Sequence, residues 1–189
     1  MGLNVKEPPE SALAIVSEAL GNIMGGTTDG FEALTEHADA ELNISAPHPL
    51  YVVGLSDIAE GKLLAAAVLR GWRYIVLKGD ETVGAVNLSF DDQGKNLQFS
   101  HISHGPFAQS TVEGIRYAEG LPEVVSNEYE LRLLDVPSVY VVSLWLHGKN
   151  DRLIPLPPTN QTLKPYEAYS EAEMTAALQP EAIHRLQFE

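Results

Sequence analysis

The sequence predicts an α+β fold, a mostly antiparallel sheet of about six strands with helices packed on it. Three observations carry this. Short β-branched and aromatic runs recur from Tyr51 onward, separated by turns rich in Gly, Asp and Pro. Stretches of helical periodicity stand before and between them. The 189 residues suit one domain, with a composition (44% hydrophobic, 20% charged) that supports a packed core. The expected organisation is a single domain over 1–189, with a helical N-terminal segment over 1–46 and a Pro-rich crossing and C-terminal helix over 157–189.

The first helix is read from Leu13, Val16, Leu20 and Ile23, which recur at helical spacing after Pro8-Pro9 and stop at Gly25-Gly26. A second helix is expected from Phe31 to Ala40. Tyr51-Val52-Val53 forms a short strand that feeds a helix from Ile58 to Leu69, with Asp57 and Glu60 at capping-box spacing and Gly71 as its C-terminal cap. Arg73 to Leu77, Thr82 to Phe90 and Leu97 to Ile102 read as a meander turning at Lys78-Gly79-Asp80-Glu81 and at Asp91 to Asn96.

Gly105-Pro106 opens the next helix, whose apolar stripe is Phe107, Thr111, Val112, Ile115 and Ala118. Three strands follow, Tyr129 to Leu134, Val139 to Leu146 and Arg152 to Leu156. The second is apolar at both parities, as a central strand covered on both faces would be. Ser170 and Glu173 cap a last helix through Leu178, and Pro180 ends it. The order strand, helix, strand, strand occurs twice, from Tyr51 to Phe90 and from Leu97 to Leu146, which suggests an internal β-α-β-β duplication.

The formal charge of −14 argues against nucleic acid, whose phosphates favour lysine and arginine. Residues 1–60 contain ten acidic side chains against Lys6 alone, which reads either as a solvated face or as a docking surface for a basic partner. With no cysteine, a disulfide framework, a thiol nucleophile and Cys-ligated metals are excluded. The N-terminus lacks the pattern of a signal peptide and no run approaches a membrane span, so the chain is expected to be soluble and cytoplasmic, without membrane partners.

The densest group of reactive side chains is Ser100-His101-Ile102-Ser103-His104-Gly105-Pro106. On a continuous strand His101 and His104 fall on opposite faces and cannot share a metal, so no metal or cofactor is assigned. Convergence would need a bend and a third ligand, such as His48 or a carboxylate. The start of the Pro106 helix favours a negative group, and His101, Ser103, His104 and Gly105 are the candidate ligand-binding residues for a small anion there. The competing reading is that Ser103 or His104 only caps that helix.

Gly21 to Thr28 resembles a phosphate loop but has Thr27 in place of its lysine and ends a helix instead of starting one. Trp72-Arg73-Tyr74 reads as a ligand-stacking trio, a partner hot spot or a closure of the core. The leading functional expectation is a noncatalytic module binding a protein partner or its own copy. The alternative is a small-molecule binding protein or hydrolase-like enzyme with its site at His101 to Pro106.

Overall fold

The computed structural model describes residues 2–25 and 42–188, and it contains a nine-stranded mixed sheet with helices on both faces. In chain order the strands are β1 (Gly2–Val5), β2 (Leu42–Ile44), β3 (His48–Val52), β4 (Val68–Lys78), β5 (Glu81–Phe90), β6 (Leu97–Ser103), β7 (Glu128–Val136), β8 (Val141–His147) and β9 (Arg152–Pro155). The helices are α1 (Ala12–Gly25), α2 (Leu55–Ala59), α3 (Pro106–Glu119), α4 (Pro122–Ser126) and α5 (Glu171–Phe188).

The main order across the sheet is β6-β5-β4-β3-β7-β8-β9. Two antiparallel meanders thus meet at β3, which pairs antiparallel with β4 and parallel with β7. Beyond His48 the flanking strands keep separate partners. β2 continues along β4, and β1 runs parallel to β7.

The sheet's two faces are covered in sections. On one face α1 packs on Trp72, Tyr74, Val76, Val86 and Leu88, while α2 and α5 pack over Tyr51, Leu134, Val136 and Trp145. On the other, α3 sits on Ile75 and Ala85 of β4 and β5 and on Leu133, Val142 and Leu144 of β7 and β8. Gly114 allows α3 this approach, because a Cβ there would lie 2.6 Å from Leu156. Arg132 lies against Tyr51 and Trp145, 4.9 and 4.6 Å from the ring centroids, and donates to Glu130 at 2.6 Å.

Several expectations are corrected. Nine strands replace about six, because β1 and β2 are short segments that become strands only through a long neighbour. The N-terminal segment is not wholly helical, since β1 precedes α1 and β2 follows it; the expected helix from Phe31 to Ala40 lies outside the described residues. The helix read over Ile58 to Leu69 is only the short α2. Gly61 at φ +76 ends it, with the Gly61 and Lys62 amides bonding the Ile58 and Asp57 carbonyls in a Schellman motif. Pairing with β3 then draws Val68 to Gly71 into β4, so Gly71 is a strand residue, not a cap.

The duplication is not supported by the pairing, because β3 lies beside β4 whereas β6 pairs with β5 and lies far from β7. Val139 and Tyr140 belong to a 3-10 turn and its cap instead of β8. The Ser170–Glu173 capping box forms, with the Ser170 amide donating to Glu173 at 2.8 Å. Its helix continues through Pro180, since Leu178 and Ala182 on either side are fully buried and hold both turns to the core.

Gly71 supplies a test of the β4–β5 register. A Cβ at this position would lie 1.8 Å from the Leu88 carbonyl oxygen, main chain that cannot move without breaking the ladder. Gly71→Ala is expected to cost on the order of 4 kcal/mol or more, read as a lowered urea midpoint. Gly21→Ala, where nothing lies within 4 Å on an exposed helix face, is expected to add about 0.5–1 kcal/mol.

Candidate functional site

A line of polar residues crosses four strands on the α3 face. His48 of β3 pairs with Arg73 of β4, Arg73 with Asn87 of β5, and Asn87 with His101 of β6. Directly opposed residues put their side chains on one face, so the register alone aligns these groups. The inner three are buried, with exposures of 4% for His48, 8% for Arg73 and 2% for Asn87.

The line is braced by hydrogen bonds. Arg73 Nε donates to Asn87 Oδ1 at 2.7 Å, and Asn87 Nδ2 donates to Ser103 Oγ at 3.0 Å and to the Ala85 carbonyl at 3.3 Å. The guanidinium is thereby fixed at one edge while its Nη1 is buried with no partner. Burial pushes the Arg73 pKa down, opposed by Asp135, which acts on it from beyond ion-pair distance. Asp135 itself is raised by burial, with Arg73 pulling the other way. His48 is lowered to about 4 by burial and by Arg73, against a weaker upward pull from the Pro47 backbone, and is therefore a neutral ring at ordinary pH.

Above this line lies a cavity of about 590 Å³. Its floor and walls come from three places: Arg73 and Asp135 on the sheet, the end of β6 and first turn of α3, and the loop residues around Tyr140 and Pro158. All four residues proposed from sequence, His101, Ser103, His104 and Gly105, line it. The strand ends at Ser103 and Gly105 takes φ +117, which turns the chain so that both imidazoles reach one cavity. Their contacts differ: His101 Nδ1 is 3.0 Å from Ser100 Oγ, and His104 Nδ1 is 3.4 Å from the Val83 carbonyl oxygen.

The N-cap position of α3 falls to neither Ser103 nor His104. The N-cap is Gly105, which makes no side-chain cap, and Pro106 follows at the first helical position. The amides of Phe107 and Ala108 belong to the first turn, where no intrahelical acceptor exists, and both residues line the cavity. The Ser103 hydroxyl accepts from Asn87 and lies 3.5 Å from the Ala85 carbonyl, the environment of a brace instead of a nucleophile. Among the described residues no three His, Asp or Glu side chains converge as a metal site would need.

Sequence reasoning missed Arg73, Asn87, Asp135 and Tyr140 as one constellation. The available signal was a polar residue at a core parity: Arg73 between Trp72 and Tyr74, and Asn87 between Val86 and Leu88. Trp72 and Tyr74 pack under α1 on the opposite face, so the trio is divided by the sheet. His48 adjoins Arg73 as the innermost member of the line. No protein-family model matches this chain, and neither a curated protein nor a solved structure matches it.

The buried His48 sets a pH dependence with a definite sign. Its folded pKa lies below the unfolded value near 6.5, so between about pH 6.5 and 4 the unfolded chain binds more protons and stability falls as pH falls. The loss attributable to His48 approaches roughly 3 kcal/mol at the acid end. Asp135, raised above 3.8, contributes the opposite slope from that pH upward. Comparing urea midpoints of the wild type and His48→Leu across pH 4–7 isolates the histidine, and the variant is expected to lose this acid-side decline.

Proposed function

We propose that the chain binds a small organic acid, with its carboxylate on Arg73 and the first turn of α3 and its apolar body in the cavity. The observation that carries this reading is Arg73: a side chain with 8% exposure, lining the cavity, with a buried Nη1 that no protein group satisfies. A buried cation with no ion-pair contact to its nearest carboxylate, Asp135, is costly, and a ligand carboxylate supplies a direct acceptor. With Nε tied to Asn87, the remaining edge is the Nη1/Nη2 pair, the fork that matches a carboxylate's two oxygens once the ligand opens the wall that encloses Nη1.

Charge count favours a monoanion over a phosphate. One guanidinium stands in the site with Asp135 beside it, in a chain of formal charge −14, and a doubly charged group would find too little to offset it. The remaining lining is largely apolar, including Phe107, Ala108, Pro137, Val141, Val142 and Pro158, which suits a hydrocarbon body. A volume of about 590 Å³ falls within the range of small-ligand sites.

The cavity supports this reading more directly than composition supports an interaction module. Five of the ten acidic residues behind that alternative, Asp29, Glu32, Glu36, Asp39 and Glu41, lie outside the described residues. No helix among the described residues is long and apolar enough to cross a membrane, in line with a ligand taken from water.

Calorimetric titration with hexanoate and with phenylacetate tests the proposal. At least one is expected to bind, and Arg73→Gln, which keeps a donor for Asn87 but removes the cation, is expected to weaken it by tenfold or more, as loss of a charged hydrogen bond does. Arg73→Lys should retain part of the affinity. Unchanged affinity in a folded Arg73→Gln protein, checked by circular dichroism, would refute the assignment.

A further inference from the structure

Tyr140 occupies a position that its own side chain disfavours. It ends the turn Pro137–Val139 with φ 56 and ψ 48, the left-handed region in which a Cβ crowds the backbone and where Gly or Asn is the ordinary choice. The core does not repay this, because Tyr140 is 72% exposed. Strain of this kind, offset by a surface contact with Arg185 but by no core packing, points from the outlier toward a function.

The ring's surroundings indicate what that function is. Tyr140 lines the 590 Å³ cavity together with Pro137 and Pro158, and it also lines a neighbouring hollow of about 380 Å³ with Thr159, Asn160 and Glu181. It therefore stands with Thr159 as the partition between the two. Arg185 of α5 rests over the ring at 5.3 Å and is itself tied to Glu181 by bonds of 2.6 and 2.9 Å, so the partition is steadied from the side of α5. Thr159 Oγ1 is buried in this partition with no hydrogen-bond partner, although the threonine lines both spaces.

Resting on the acid-binding reading above, we infer that the acid is aromatic and that Tyr140 is the residue selecting it, by packing against the ligand ring at the cavity wall. An aromatic wall rewards a flat π-system beyond the area it buries, whereas an alkyl chain gains only the area. Rotation of Thr159 about χ1, which would carry its enclosed and unpartnered hydroxyl to the cavity surface, adds a place for a polar ring substituent and places hydroxylated aryl acids above plain ones. Arg73 then recognises the acid, and Tyr140 with Thr159 recognises the ring.

The test compares hexanoate, phenylacetate and 4-hydroxyphenylacetate by calorimetry on the full chain. The wild type is expected to bind the aryl acids roughly tenfold more tightly than hexanoate, with 4-hydroxyphenylacetate ahead of phenylacetate. Tyr140→Asn, which suits the left-handed backbone, should abolish the aryl preference, weaken hexanoate less than the aryl acids and not lower the Tm. Tyr140→Phe should keep the preference, and Thr159→Val should remove only the advantage of the hydroxylated acid. Equal binding of aryl and alkyl acids in the wild type, or an aryl preference that survives Tyr140→Asn, overturns this inference and leaves the acid-binding reading standing. Failure of all three acids to bind overturns both.

Discussion

The five-residue strand β3 is the joint on which the structure depends. It is the sole link in the main strand order between the β4–β6 meander and the β7–β9 meander, antiparallel to one and parallel to the other. Its parallel contact with β7 consists of Leu50, Tyr51 and Val52 against Leu133, Leu134 and Asp135. Parallel pairing of so short a segment adds little by itself, so the joint is held by what lies above and below. Tyr51 packs with Trp145 under α5, and Leu50 packs into the cluster beneath α3. With β3 seated, Arg73 on one flank and Asp135 on the other are carried to the same face and the same cavity.

The buried polar line gains its meaning from that placement. In water an arginine side chain samples many rotamers, and ordering it on a ligand costs entropy. Here Asn87, itself held by Ser103 and Ala85, fixes Nε before any ligand arrives. The sheet has met the ordering cost during folding, through the cores on both faces, and the cation waits in one geometry. Neutral His48 beside it belongs to the same arrangement: a second charge next to Arg73 would be repelled, and burial keeps the ring uncharged.

Much of this fold is legible in the sequence where local preference and tertiary demand agree. β5, β6, α3 and the capping box of α5 follow from alternation, Gly-Pro and Ser-x-x-Glu. The reading fails where pairing overrides propensity. The Ala-Leu run after Gly61 has helical composition, yet β3 needs an antiparallel partner and takes Val68 to Gly71 for it. Pro180 carries a stop signal, yet the buried flanks of α5 outweigh it. The end of β6 is legible as a place for a ligand because strand end, histidines and Gly-Pro are adjacent in the chain. Arg73, Asn87 and Asp135 are not, since their association is a matter of register across strands separated by up to 62 positions in sequence.

The departures from local rules are informative because of where they fall. Trp72 and Trp145 leave indole N–H groups unbonded inside apolar layers, a cost explained by the large rings they bury. Elsewhere the hydroxyls of Ser138 and Thr175 are also unbonded and Tyr166 is also left-handed, but three departures stand together: the Nη1 of Arg73, the hydroxyl of Thr159 and the left-handed backbone of Tyr140. These three come from β4, from the Pro-rich crossing and from the β7–β8 turn, segments with no reason to share a defect. They nevertheless line one cavity. Local costs from three distant segments meeting on one wall are expected when the wall is shaped for something other than stability, and in the proposed reading the same kind of occupant, an acid with a flat body, uses each of them.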